Sequence, residues 1–88
     1  MELIMISQTV CSGCRLLENY LNNEHPEVKY KYINIDKEPE MIDKYSVTST
    51  PTLILWDSED NEESMRHTGF NINNGDDSLV DDFVEQLD

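Results

Sequence analysis

An apolar run of strand length, Leu3-Ile4-Met5-Ile6, then a helical stripe, then an alternating strand all fall before residue 36, and that opening leaves few folds available. Leu16, Leu17, Tyr20 and Leu21 recur at i, i+1, i+4 and i+5, the stripe of an amphipathic helix that must stop before Pro26. Val28 to Ile35 alternates with period two and is rich in β-branched and aromatic residues, which reads as a strand. Two strands joined through a helix in one sheet run parallel with a right-handed crossover.

The remainder continues the pattern. Asp36-Lys37-Glu38-Pro39 sets acidic residues and a proline where a second, short helix starts, with Met41, Ile42 and Tyr45 as its apolar side. Thr52 to Trp56 is a continuous apolar strand, the polar stretch Asp57 to Glu63 reads as a hairpin turn, and a weaker strand follows at about Ser64 to Thr68. Leu79, Val80, Phe83, Val84 and Leu87 mark a closing helix, with Asn74, Asp76, Asp77 or Ser78 as its cap. The order β-α-β-α-β-β-α predicts an α/β protein with a four-stranded mixed sheet flanked by helices. With 88 residues, one domain over 1–88 is expected, because a chain this short cannot bury two cores.

Nineteen Asp and Glu against six Lys and Arg give a net charge of −13, which repels nucleic acid and anionic membrane surfaces. The opening segment Met1 to Ile6 has no basic flank and only four consecutive apolar residues, so neither a secretory signal nor a membrane span is read there, and a cytoplasmic protein is expected. In such a reducing compartment Cys11 and Cys14 are poor candidates for a structural staple, since a bridge across three residues constrains the unfolded chain little. Redox chemistry or metal binding remains.

Only a thiolate attacks a disulfide, so a redox reading needs one cysteine whose pKa is drawn below about 8.5. A helix starting at Cys11 supplies that influence, because its unpaired N–H groups and positive dipole end favour the anion, and Arg15 adds a cation one turn on. Cys14, on the same face but deeper, then serves as the resolving thiol and Cys11 as the nucleophile. His25 and His67 are read as structural, because a Cys-x-x-Cys zinc site needs a matching second pair. Trp56 and the tyrosines of the second strand are read as core or sheet-face residues. Pro51, at the start of a strand, fits an ordinary trans proline.

Cys11-Ser12-Gly13-Cys14 between strand and helix, Asn34-Ile35-Asp36, Pro39, Lys44-Tyr45, Val47, Pro51-Thr52 and Gly69 follow one another with a spacing similar to that of the thioredoxin and glutaredoxin superfamily. In size the chain resembles a glutaredoxin or a glutaredoxin-like electron donor of ribonucleotide reductase, and Gly69-Phe70 is similar to the second group. The resemblance implies the minimal thioredoxin fold and a thiol–disulfide oxidoreductase, an electron carrier in cell redox homeostasis that reduces protein disulfides. It implies a redox-active Cys11–Cys14 disulfide with no further cofactor and no metal, and a cis Thr50–Pro51 bond facing the cysteines. Val10, Ser12, Gly13, Thr50, Pro51 and Gly69 would then contact substrate. The expected partners are a disulfide-containing protein, ribonucleotide reductase being one implied by the resemblance, and a flavoprotein of the thioredoxin-reductase type; a monomer is expected.

Four positions depart from the family pattern. Val10 stands where thioredoxins commonly have tryptophan, Met5 replaces a buried aspartate and Tyr32 its lysine partner, so the usual proton acceptor for the second thiol is missing. Gln8 replaces the lysine that helps glutaredoxins hold a glutathione carboxylate, which makes glutathione the poorer expected reductant. Two other functions use the same residues differently. One is a metal or Fe–S module held by Cys11 and Cys14; the other is a redox-silent adaptor that uses only the fold.

Overall fold

The computed structural model of the chain describes residues 1–87. Its elements are β1 (Glu2–Ser7), α1 (Ser12–Glu24), β2 (Tyr30–Asn34), α2 (Glu40–Lys44), β3 (Thr52–Asp57), β4 (Glu62–Thr68) and α3 (Asp76–Glu85), with a single 3-10 turn at Ile72–Asn74 before α3. This is the expected order. The strands lie β2-β1-β3-β4, with β1 parallel to β2 and antiparallel to β3, and with β3 antiparallel to β4.

The two central strands are apolar at consecutive positions because both sheet faces are covered. Leu3, Met5, Leu53 and Leu55 point to one face, where Cys14, Leu17 and Leu21 of α1 and Val80 and Phe83 of α3 pack on them. Ile4, Ile6, Ile33 and Ile54 point to the other, under Tyr45, with Met41 and Trp56 at its edge. The period of two in the strands thus sends alternate residues to the α1/α3 layer and to the α2 layer.

Several local details differ from expectation. Strand β2 begins at Tyr30 instead of Val28, because the Val28 N–H turns back to the His25 carbonyl (3.0 Å). Strand β4 begins at Glu62, two residues before the expected Ser64, and Asp57 tightens the turn by accepting the Glu59 N–H at 3.0 Å and the Asp60 N–H at 3.3 Å. Among the described residues no side chain caps the start of α3. The 3-10 turn ends on Gly75 in a left-handed conformation (φ 80°), so that Gly75 itself becomes the cap residue, and the buried Asp76 carboxylate accepts the Asn71 N–H at 2.7 Å instead. Leu16 and Leu79, read as parts of buried stripes, are 52% and 40% exposed. On α1 the buried line is Cys14, Leu17 and Leu21, and Leu16, a hundred degrees away, faces outward.

Helices α1 and α3 are tied by a polar cluster. Tyr20 Oη and His25 Nε2 both donate to Asp81 Oδ1, each at 2.7 Å. The bond from His25 foremost, and that from Tyr20, hold the Asp81 carboxyl below its ordinary 3.8 against the opposing effect of burial. Burial first, and then the bond to Asp81, push the Tyr20 phenol up from 10.0 to about 12. A carboxyl depressed in the fold contributes stability above its unfolded value and loses it as the pH falls through its folded value. Asp81→Asn is therefore expected to destabilise the protein at neutral pH, with the difference from the parent shrinking below about pH 4. Urea unfolding at a series of pH values measures this; a difference that stays constant down to pH 2 would contradict it. On the alkaline side the Tyr20 contribution is lost between its unfolded 10.0 and its folded value of about 12.

Candidate active site

Strand β1 ends at Ser7, and the short loop Gln8 to Val10 delivers the chain to Cys11, which is the N-cap of α1 in an extended conformation (φ −159°, ψ 103°). The Cys11 carbonyl accepts the Arg15 N–H at 3.3 Å, and its sulfur accepts the Cys14 N–H at 3.1 Å. The side chain therefore satisfies one of the donors that every helix start leaves unpaired. Such an N–H, with the positive end of the helix dipole behind it, stabilises negative charge on this sulfur. Cys11 and Cys14 are joined by a disulfide, their Cα atoms 5.2 Å apart.

The two sulfurs differ in environment. Cys11 is half-buried at the rim, whereas Cys14 is 3% exposed and belongs to the core beside Met5 and Leu17. Met5, where a buried carboxylate was missing from the sequence pattern, is fully buried and apolar. Tyr32 at the paired position on β2 donates its hydroxyl to Ser7 Oγ at 3.1 Å.

Opposite the disulfide lies the turn into β3, where the Thr50–Pro51 bond is cis, as the resemblance implies. A Cβ added to Gly13 would stand 3.2 Å from Pro51 Cδ and 3.9 Å from the Phe70 carbonyl oxygen, so the absence of a side chain there lets the helix start approach the proline ring. The Gly69 N–H donates to the Pro51 carbonyl at 2.7 Å, which places the loop after β4 on the same rim. Gly69 has φ 90°, a conformation that disfavours a side chain. Thr50 Oγ1 donates to Gln8 Oε1 at 2.6 Å and so ties the proline turn to the β1–α1 loop.

Cys11, Cys14, Gly13, Thr50, Pro51 and Gly69 thus converge from three segments far apart in sequence. Val10 and Ser12 flank the first cysteine and face solvent, Val10 being 88% exposed. Two roles escaped the sequence reading. The Phe70 carbonyl lines the rim through backbone alone, and Gln8 acts as acceptor for a hydroxyl 42 residues away, a pairing that no local pattern signals. His25 pairs with Asp81, and His67 Nε2 lies 3.4 Å from Asp76 Oδ1. Among the described residues no group of three or more His, Cys, Asp or Glu side chains is placed to hold a metal ion. The arrangement can exchange two electrons between a disulfide and a dithiol, with a half-buried sulfur at a helix start and a fully buried one beneath it.

No protein-family model matches the chain. A thioredoxin-like protein of Bacillus subtilis, YosR, derived from the SPbeta prophage, is 33% identical over 79 residues, which cover 90% of this chain and 95% of that one. A thioredoxin of Chlamydia pneumoniae is 40% identical over 62 residues, covering 67% of this chain and 59% of that protein. Among solved structures, thioredoxin from Plasmodium falciparum superposes with a TM-score of 0.76 over 99% of this chain and 85% of that one at 16% identity. Thioredoxin O2 from Arabidopsis thaliana gives 0.74 over 98% and 73% at 22% identity, so both share the fold. With the relative from Bacillus subtilis matched along nearly its whole length and the fold shared with these thioredoxins, the chain belongs to the thioredoxin-like family.

Proposed function

We propose that this protein is a thiol–disulfide oxidoreductase that reduces disulfides of protein substrates by dithiol exchange through Cys11 and Cys14. The observation that carries this reading is the unequal pair of sulfurs. Cys11 sits at the rim with an N–H of the helix start aimed at it (3.1 Å), and Cys14 is buried directly below. In the reduced protein that N–H and the helix dipole favour the Cys11 thiolate. The thiolate attacks a substrate disulfide, forming a Cys11–substrate disulfide and releasing the other substrate sulfur as a thiolate. Cys14, once deprotonated, attacks Cys11, forms the internal disulfide and releases the second substrate thiol. The substrate segment lies along the rim made by Val10, Ser12, Gly13, Thr50, Pro51 and Gly69.

The internal disulfide is the redox group, with no other cofactor in the cycle. A flavoprotein of the thioredoxin-reductase type returns it to the dithiol, and the protein works as a monomeric carrier in the cytoplasm. No helix among the described residues is long and apolar enough to cross a membrane. Turnover of a protein disulfide is measured with thioredoxin reductase and NADPH, and separately with glutathione and glutathione reductase. Turnover in the first system supports the reading, and none in either system defeats it.

Glutathione is expected to be the poorer donor, because Gln8 offers no positive charge near the cysteines and the net charge of −13 repels an anionic tripeptide. Screening beyond about 8 Å at physiological salt makes the local loss at Gln8 the larger of the two effects. Gln8→Lys is expected to raise the ratio of glutathione-supported to flavoprotein-supported turnover about two- to fivefold, the worth of one exposed ion pair of ~0.5–1 kcal/mol. An unchanged ratio, with rapid reduction of the parent by glutathione, would contradict this.

A further inference from the structure

Cys14 must lose a proton before it can close the internal disulfide, and it is walled by apolar side chains on its core side. A solvent-open cavity of about 240 Å³ reaches it from the other side, between the start of α1 and strand β2. Ser7, Tyr32, Arg15, Lys37 and Glu18 share the lining with Cys14. Arg15 and Lys37 are cations without an acceptor, and the Tyr32 hydroxyl is engaged as a donor to Ser7 Oγ at 3.1 Å. The rest of the described lining offers only hydroxyl and amide groups, so among the described residues Glu18 is the one carboxylate on it.

Glu18 stands four residues after Cys14 on α1, a spacing that puts the two Cβ atoms about 5–6 Å apart on one helix face. It is half-buried and lines the cavity, and its charge, after burial itself, raises the phenol of Tyr30 on β2. The space is large enough for water to bridge carboxylate and sulfur.

We infer that Glu18 accepts the proton of Cys14 through this cavity during the resolving step. The inference rests on the oxidoreductase reading above. The Cys14 S–H proton passes to the Glu18 carboxylate, directly or through water. The Cys14 thiolate then forms the S–S bond to Cys11 as the Cys11–substrate bond breaks, and the electron pair leaves on the substrate sulfur. Glu18 afterwards gives the proton to solvent. The charged and titratable groups facing it are Arg15 on its own helix, Lys37 on the β2–α2 connection, and Tyr30 and Tyr32 on β2.

The test mixes reduced protein with a sub-stoichiometric, uncharged dipyridyl disulfide and follows release of the pyridine thiol. The first phase reports attack by Cys11 and the second reports resolution by Cys14. In Glu18→Gln the ratio of second-phase to first-phase rate is expected to fall about tenfold or more near pH 7. It recovers as the pH rises far enough above the free-thiol range for the buried Cys14 to ionise unaided. Glu18→Asp is expected to restore most of the rate. A ratio in Glu18→Gln equal to the parent's at every pH, or a loss that neither pH nor aspartate restores, would overturn the inference while leaving the parent reading intact. Absence of the first phase in the unaltered protein would instead defeat the assignment of Cys11 and this inference with it.

Discussion

Cys11→Ser is expected to abolish disulfide reduction, by about a thousandfold or more, whereas Cys14→Ser is expected to keep the attack and stop at the mixed disulfide. The asymmetry follows from position. The Cys11 sulfur lies half-buried at the rim and already accepts an N–H of the helix start, while Cys14 is 3% exposed and packed beside Met5 and Leu17. A substrate disulfide can approach the first sulfur and not the second. Without Cys11 no covalent intermediate forms, and the buried thiol has no path to substrate. Without Cys14 the intermediate forms and nothing expels the substrate, so a protein–substrate adduct accumulates that a small reducing thiol releases. Mass spectrometry under non-reducing conditions distinguishes the two variants. An adduct in Cys11→Ser and none in Cys14→Ser would reverse the assignment of roles.

Much of this site was legible in the chain itself, because the features that make it are local. A cysteine pair with spacing three at a strand-to-helix junction puts one sulfur at the cap and the other one turn inside, and both land there. The uninterrupted apolar run Thr52 to Leu55 reported a strand buried on both faces, and Met5 was visible as an apolar residue in place of a carboxylate. What was not legible depends on pairings across the fold. Two adjacent leucines, Leu16 and Leu17, satisfy a helical stripe equally well in sequence, and only the packing of α1 on the sheet selects Leu17. Asp76 looked like a cap for α3, yet its carboxylate turns back to Asn71 because Gly75 ends the preceding turn in a left-handed conformation. The bond between Thr50 and Gln8 and the position of Glu18 on a cavity shared with Cys14 need the register of β1 against its neighbours, which no single segment encodes.

Phe83→Ala is expected to lower stability by about 3–5 kcal/mol, the range for removing a buried aromatic ring from a packed core. Phe83 is 2% exposed on α3, in the cluster that also contains Leu17 and Leu21 of α1 and Leu3, Met5 and Leu53 of the sheet. The loss combines the transfer free energy of the ring with the cavity left behind, which the surrounding strands cannot fill because their other face is packed under Tyr45. Against a total of ~5–15 kcal/mol for a folded protein, such a change is a large fraction. It corresponds to a drop in Tm of about 12–40 °C at ~4–8 °C per kcal/mol for a domain of this size. Leu79, two-fifths exposed on the same helix, serves as the comparison, and Leu79→Ala is expected to cost less than ~1 kcal/mol. Because α1 carries Cys14 and packs on the same cluster as Phe83, the aromatic ring supports the helix that holds the buried sulfur. Urea unfolding of both variants at equal redox state measures the difference from the midpoint at constant slope. Equal losses for Phe83→Ala and Leu79→Ala would mean that α3 does not pack on the sheet through the face described here.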